Sequence, residues 1–451
     1  MKGNYLLTTP MARRLYEEVA AELPLIDYHN HLNVSDIASA HRFDDVAELW
    51  LLSDPYKHRA MRICGVDEYY ITGGADRFEK FSAWCRVYPQ LMGGPLYDWS
   101  RFELEEFFGI TDEICEENAE RIWNKANAVI AGEDFNALTL LNHFKVEYAA
   151  PCASVADDLS PFEGIDNLAP SLRGDDMLTP NAALAERLSK AAGVPVTDDA
   201  SLREAIRLRL DGMDAVGCRF ADLALDNGFR YTANDRKNAE RIAAMLAGQE
   251  PDAESKNAVF SGMLRFLGAE CARRGWVLQL HVGAERFTST RLRRATGGAG
   301  GFAGIGSCVD VRSLVSLLDD IEQSEYGLPK VILYTLNPSD NAVMSILSGS
   351  FPGVTQGPAW WWCDHLQGMR EMLDVFSSFS VLSTFVGMTT DSRSLLSLLR
   401  HDYFRRCFCG WVGEKAERNE LPDDFDTLSG LVRRVCYENA KNIMKEGKSN
   451  V

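Results

Sequence analysis

Eight short apolar, β-branched runs recur along the 451 residues, each bounded by turn residues and most followed by a helix-forming stretch. They are "PLIDYHNH" (24–31), "VEYAAPC" (146–152), "NLAPSLR" (167–173), "AVGCRFADL" (215–223), "WVLQLHVG" (276–283), "KVILYTL" (330–336), "GVTQGPA" (353–359) and "FVGMTTD" (385–391). Helical patterning lies between them at 181–192, 200–211, 236–248, 256–274, 309–320 and 394–405. Alternating strands and helices of this kind require a parallel α/β architecture. Eight of them predict a (β/α)8 TIM-type barrel, with its chemistry at the carboxyl ends of the strands.

One connection breaks the rhythm. Between the first and second runs lie more than a hundred residues rich in helix formers and aromatics, too many for a bare loop. The expected organisation is a barrel made of 1–34 and 146–451, with 35–145 an inserted helical subdomain over its mouth. The glycine-rich "TGGAGGFAGIGS" (296–307) lacks the lysine–serine end of a phosphate-binding loop. A mobile loop closing over substrate is the better expectation there.

Charge narrows the function. Lys plus Arg total 47 against 65 Asp plus Glu, a balance of −18. Such a surface argues against nucleic acid or an anionic membrane as partner. The first 24 residues have no signal-peptide core, and no run approaches the ~18 apolar residues of a spanning helix. Eleven scattered cysteines without CxxC pairing read as reduced, buried small hydrophobes. Even the Cys407–Cys409 pair lacks a second half for a metal. A cytoplasmic enzyme is expected, and large acidic barrels of this kind are often homo-oligomers.

The chemistry starts at "HNH". Side chains at i and i+2 of a strand share a face, so His29 and His31 converge on one point, as ligands of a zinc-class ion must. Two core histidines satisfied by hydrogen bonds are the bland alternative, which their place at a strand end disfavours. Asp27 lies on the same face, where it could orient a ligand. His281 ends the fifth run and Asp391 the eighth. This constellation resembles the amidohydrolase superfamily. The fourth run has no lysine to bridge a second ion and the sixth has no histidine. One metal site follows, with His29, His31 and Asp391 as ligands and His281 as a fourth ligand or a substrate partner. Zinc is the first expectation for the ion, with manganese, iron or cobalt also compatible.

Longer motifs point to a narrower family. "PLIDYHNHL", "YKHRAMRICGVDEYYITG", "LQLHVGA", "ILYTLNPSDN", "QGPAWWWCDHLQGMREM" and "FVGMTTDSRSLLSLLRHDYFRR" together resemble uronate (glucuronate) isomerases, and the likeness extends to "CYENAKNIM" near the end. It implies interconversion of D-glucuronate with D-fructuronate and of D-galacturonate with D-tagaturonate. Arg173 and Arg393 match family arginines, and a guanidinium fork suits a sugar carboxylate or vicinal hydroxyls. Tyr56 matches a tyrosine over the site, placing it with Asp391 and Arg393 in the acid/base chemistry of an enediol route. Trp360 and Trp361 keep the tandem tryptophans, either as a stacking wall for the sugar or as packing at the rim. Two departures stand out: Pro55 replaces a histidine common before that tyrosine, and "CASVADDLS" replaces a Thr-Thr-Asp-Asp run. The alternative is a metal-dependent hydrolase of the same superfamily acting on an acidic compound. The missing lysine in the fourth run, together with Arg173, Arg393 and Tyr56, favours the isomerase.

Overall fold

The structure, a computed structural model, describes residues 3–445 apart from 234 and 299. Seven strands form one all-parallel sheet in strict chain order. They are β1 (Leu25–Asn30), β2 (Val146–Ser154), β3 (Ser171–Arg173), β4 (Phe220–Leu225), β5 (Val277–Val282), β6 (Val331–Thr335) and β7 (Val354–Gln356). Every residue of β1, β5 and β6 is buried, as expected of strands covered on both faces. Helices fill the crossovers: Ala182–Ala192 and Asp199–Ala215 before β4, Asn238–Leu246 and Ala253–Arg274 before β5, and Val311–Glu322 before β6. Their ends follow local chemistry. Asp198 and Ser201 make a capping box, Asp252 accepts from the Ser255 amide, and Gly275 closes its helix at φ +66°.

Contacts between distant strands show how far the sheet curls. The ring of Tyr28 on β1 stacks on Phe220 of β4 with centroids 5.4 Å apart. The Gln279 amide on β5 donates to the Tyr28 carbonyl at 3.4 Å and accepts from the Tyr334 hydroxyl at 2.6 Å. These side chains fill the interior of the curl.

The sheet has seven strands where the sequence predicts eight. Residues 385–391 lie beside β1 in an irregular path, with Gly387 at φ +80° and Asp391 at φ +49°. The His31 amide donates to Ser392 O and the Asp391 amide to His29 O, a register one residue out of step. Between them the Thr389 hydroxyl, not a backbone carbonyl, accepts from the His29 amide at 2.9 Å. Side-chain bonding and positive φ replace the ladder that an apolar run predicts. The fourth strand also starts five residues later than expected. The preceding helix runs on to Ala215, and a turn with Gly217 at φ +92° follows before Phe220.

The long connection between β1 and β2 contains seven α-helices among the described residues, from Val34–Ala38 to Ala137–Asn142. Trp50, Phe81 and Trp84 pack at its core. Its helix Pro55–Ile63 begins with "DPY": Asp54 Oδ1 accepts from the Tyr56 and Lys57 amides, and Pro55 occupies the first turn, where no amide is needed. Among the described residues no helix is long and apolar enough to cross a membrane.

Candidate active site

A cavity of about 460 Å³ opens at the carboxyl ends of the strands. Its wall includes nine of the side chains singled out from the sequence, Asp27 not among them: His29, His31, Tyr56, Arg173, His281, Trp360, Trp361, Asp391 and Arg393. Pro55, Gly298, Gly301 and Ala303 complete one side, so the helix Pro55–Ile63 and the glycine-rich segment both border it. The two elements touch. At Gly301, φ +72°, a Cβ would stand 2.2 Å from the Pro55 carbonyl oxygen.

Asp391 is the focus of the polar wall. Its Oδ1 lies 3.3 Å from His29 Nε2 and 3.1 Å from His31 Nε2, and its Oδ2 accepts from Trp360 Nε1 at 3.0 Å. Burial opposes ionisation of this carboxyl, but the two imidazoles hold it well below the usual carboxylate range. Burial alone would lower His31, yet Cys152 and Asp391 raise it to about 9. Donors sharing one tetrahedral ion with bonds of about 2.0–2.1 Å stand about 3.3 Å apart. The two imidazole–Asp391 spacings match that figure, and nitrogens with a carboxylate oxygen are donors such an ion takes. The residues present therefore fit a metal.

His29 faces two ways. Its Nδ1 is 3.7 Å from the Cys152 sulfur and 4.0 Å from Asp222 Oδ1. Donor atoms of His29, His31 and Cys152 lie within 4.8 Å of one another, as do those of His29, Asp222 and His281. Neither Cys152 nor Asp222 stood out in the sequence. The signal for Asp222 was available, a lone carboxylate in an otherwise apolar strand. Cys152 ends the strand run at 146–152 but was indistinguishable from ten inert cysteines. His281 is fully buried, with its ring stacked on Tyr334 at 4.5 Å and 4.6 Å from the rings of His29 and Trp360. Burial, then the neighbouring His29, push it well below its ordinary value. Among the described residues neither of its ring nitrogens has a hydrogen-bond partner.

The expected neighbour Asp27 does other work. Asp27 touches neither imidazole of the pair. It accepts from the Thr390 amide and hydroxyl, each at 2.7 Å, from Thr389 Oγ1 and from Asn30 Nδ2, and faces His401 at 3.2 Å. It therefore ties β1 to residues 389–390 and to the helix Arg400–Glu417, and orients the strand more than the rings. Asn30, between the histidines, is buried and accepts from the Leu32 amide as well as bonding Asp27.

The cations differ in their freedom. Arg173 is bound to Asp175 at 2.6 Å and Asp222 at 2.8 Å, and Arg286 to Asp226. Arg393 is exposed and has no ion-pair partner among the described residues. Tyr56 is buried, and its hydroxyl donates to Asp364 Oδ2 at 3.0 Å. Asp364 also pairs with the buried Arg400 at 3.4 Å. Both lie in matched motifs, but nothing local in the sequence shows that they meet.

A curled parallel sheet carrying imidazoles, carboxylates and arginines at its carboxyl ends defines an α/β enzyme with a candidate metal site. A model of the glucuronate isomerase family matches residues 1–444. A uronate isomerase of Histophilus somni is 38% identical, covering 99% of each chain, and one of Bacillus licheniformis is 37% identical, covering 98% of this chain and 97% of its own. The crystal structure of a uronate isomerase from Thermotoga maritima matches with a TM-score of 0.92 at 28% identity, covering 98% of this chain and 99% of that one. This chain belongs to the glucuronate isomerase family, whose members are aldose–ketose isomerases.

Proposed function

We propose that this chain interconverts D-glucuronate with D-fructuronate, and D-galacturonate with D-tagaturonate, in the cavity bounded by Asp391, Tyr56 and Arg393. The observation that carries this reading is the convergence of an ionised carboxylate, a buried phenol and a guanidinium with no ion-pair partner among the described residues on one sugar-sized space. Arg393 receives the substrate carboxylate, because the charge of Arg173 is already balanced by two aspartates. Arg173 and His281 orient the sugar hydroxyls, and Trp360 and Trp361 wall its apolar face. Asp391 takes the anomeric hydroxyl proton and returns it to the ring oxygen as the ring C–O bond breaks and the open-chain aldehyde forms. Tyr56 then works on the C2 proton, which must reach C1 through an enediol. His29, His31 and Asp391 hold one zinc-class ion, for which manganese, iron or cobalt could substitute. When bound, such an ion polarises a substrate oxygen.

The finer architecture belongs to the same reading. Residues 385–391 stand in the eighth position of the barrel, supported by their bonds to β1. Residues 35–145 form a helical subdomain over the mouth, supported by its delivery of Tyr56 to the cavity. The enzyme works as a cytoplasmic homo-oligomer.

The test is incubation of the purified protein with D-glucuronate and with D-galacturonate, following ketose formation. Turnover of at least one is expected. No turnover of either, with hydrolysis of an amide or lactone panel, would overturn the assignment.

A further inference from the structure

Tyr56 poses a problem that its own position does not solve. Burial, reinforced by Asp364, pushes its phenol well above the ordinary tyrosine value, so a phenolate ready to act as a base is not populated at neutral pH. A neutral phenol can take a carbon-bound proton only if its own proton leaves in the same step. One acceptor is in place, Asp364 Oδ2 at 3.0 Å.

Asp364 lies in the turn after the tryptophan run and is not part of the cavity wall. It is buried, as is Arg400, whose Nη1 stands 3.4 Å from the same Oδ2. The Arg400 guanidinium also sits 4.8 Å from the Tyr56 ring centroid and 4.1 Å from that of Trp99. Trp99 and Trp362 meet Tyr56 edge-on at 6.0 and 5.2 Å. The result is a buried, aromatic-walled enclosure that holds the Tyr56 hydroxyl, Asp364 and Arg400 as fixed partners.

Resting on the isomerase reading, we propose that Asp364 is the proton-relay partner of Tyr56. The phenolic oxygen takes the proton from C2 while the phenolic proton passes to Asp364 Oδ2. The C2–H electron pair becomes the C1–C2 double bond, and the carbonyl π pair moves to O1. The hydroxyl proton then passes from O2 to O1. The phenol delivers its proton to C1 and recovers the other from Asp364, so nothing is gained or lost by the protein. Asp364 does not touch substrate. It is a positioning residue that gives Tyr56 the capacity of a base.

The relay needs an ionised Asp364. Burial raises this carboxyl to about 7, against the lowering influence of Arg400 and the Tyr56 hydrogen bond, with Asp391 adding to the rise. Arg400 is itself faced by Asp54 and Glu103, so its charge is shared. Below that value Asp364 carries a proton and cannot accept another, so turnover should fall on the acid side.

The experiment compares the metal-replete wild-type enzyme with Asp364→Asn, Tyr56→Phe and the double variant on the turned-over uronate. Asparagine keeps an acceptor for the Tyr56 hydroxyl but cannot take a proton. Expected are a kcat about 100-fold lower for Asp364→Asn with KM changed less than about threefold, loss of the acid limb near pH 7, and a double variant no slower than Tyr56→Phe alone. A kcat for Asp364→Asn within about threefold of wild type, or additive losses in the double variant, would overturn the relay. Should Asp364→Asn fail to fold, the wild-type profile with C2-deuterated substrate decides: an acid limb near pH 7 on the isotope-sensitive step supports the relay, and its absence overturns it. Failure of the wild type to turn over any uronate is a different result, and it sinks the isomerase reading itself.

Discussion

Asp391 concentrates the proposed chemistry in one side chain, because its two oxygens are committed to different partners. Oδ1 is shared by His29 and His31, and Oδ2 is held by Trp360. If the three residues hold the ion, His29→Ala and Asp391→Ala leave only a small fraction of a metal ion per purified chain. Elemental analysis checks this, and unchanged stoichiometry would show the ligand set to be wrong. Arg393→Lys removes the paired, planar donors but keeps the charge. We expect KM for the uronate to rise by about tenfold or more, about 1.4 kcal/mol, with metal content unchanged. At this scale the strand-end residues were legible because strand geometry projects them to a common point. Asp364 and Arg400 were not, because their partners lie 308 and 36 residues away along the chain: Tyr56 and Asp364.

Elements place those side chains through short-range rules and a few close approaches. The helix Pro55–Ile63 starts where Asp54 and Pro55 make it start, which puts Tyr56 in its first turn facing the cavity. The glycine-rich segment packs on that start at Gly301, where both φ +72° and the Pro55 carbonyl exclude a side chain. Gly301→Ala should cost about 1–3 kcal/mol of stability, read from a urea midpoint, and lower kcat by moving Pro55 and Tyr56. Unchanged kcat at full occupancy would show that the contact does not position the tyrosine. The misread elements share a cause. "FVGMTTD" has the composition of a strand, but positive φ at Gly387 and Asp391 breaks the extended run. Apart from Arg219 and Asp222, "AVGCRFADL" is apolar, so composition alone could not tell the end of a helix from the strand beyond its glycine turn.

Across the whole molecule, buried carboxylates link stability to pH. Burial opposes ionisation of Asp27 and Asp54. His401 and Thr390 lower the first, and Lys57 and Arg400 lower the second, so both end below the ordinary value. A depressed folded value means the unfolded chain binds protons more readily, so the contribution is complete above about pH 4 and is lost as pH falls through the folded values. The urea midpoint should change little from these groups between about pH 8 and 5 and drop below about pH 4. Asp27→Asn should flatten that drop while lowering stability at pH 7, because it loses the tie between β1, residues 389–390 and His401. An undiminished acid dependence in the variant would remove Asp27 from this account.

The sequence by itself determined what short-range physics controls: the alternation of strands and helices, the caps, the long helical connection and the two histidines on one strand face. It also carried the family, because the matching motifs span nearly the whole chain. Tertiary structure alone decided which distant carboxylate meets which base or cation. It set Asp222 behind His29 and Asp364 behind Tyr56. Curling the sheet brings residues from remote strands within hydrogen-bond distance, and no local pattern records where a curled sheet meets itself.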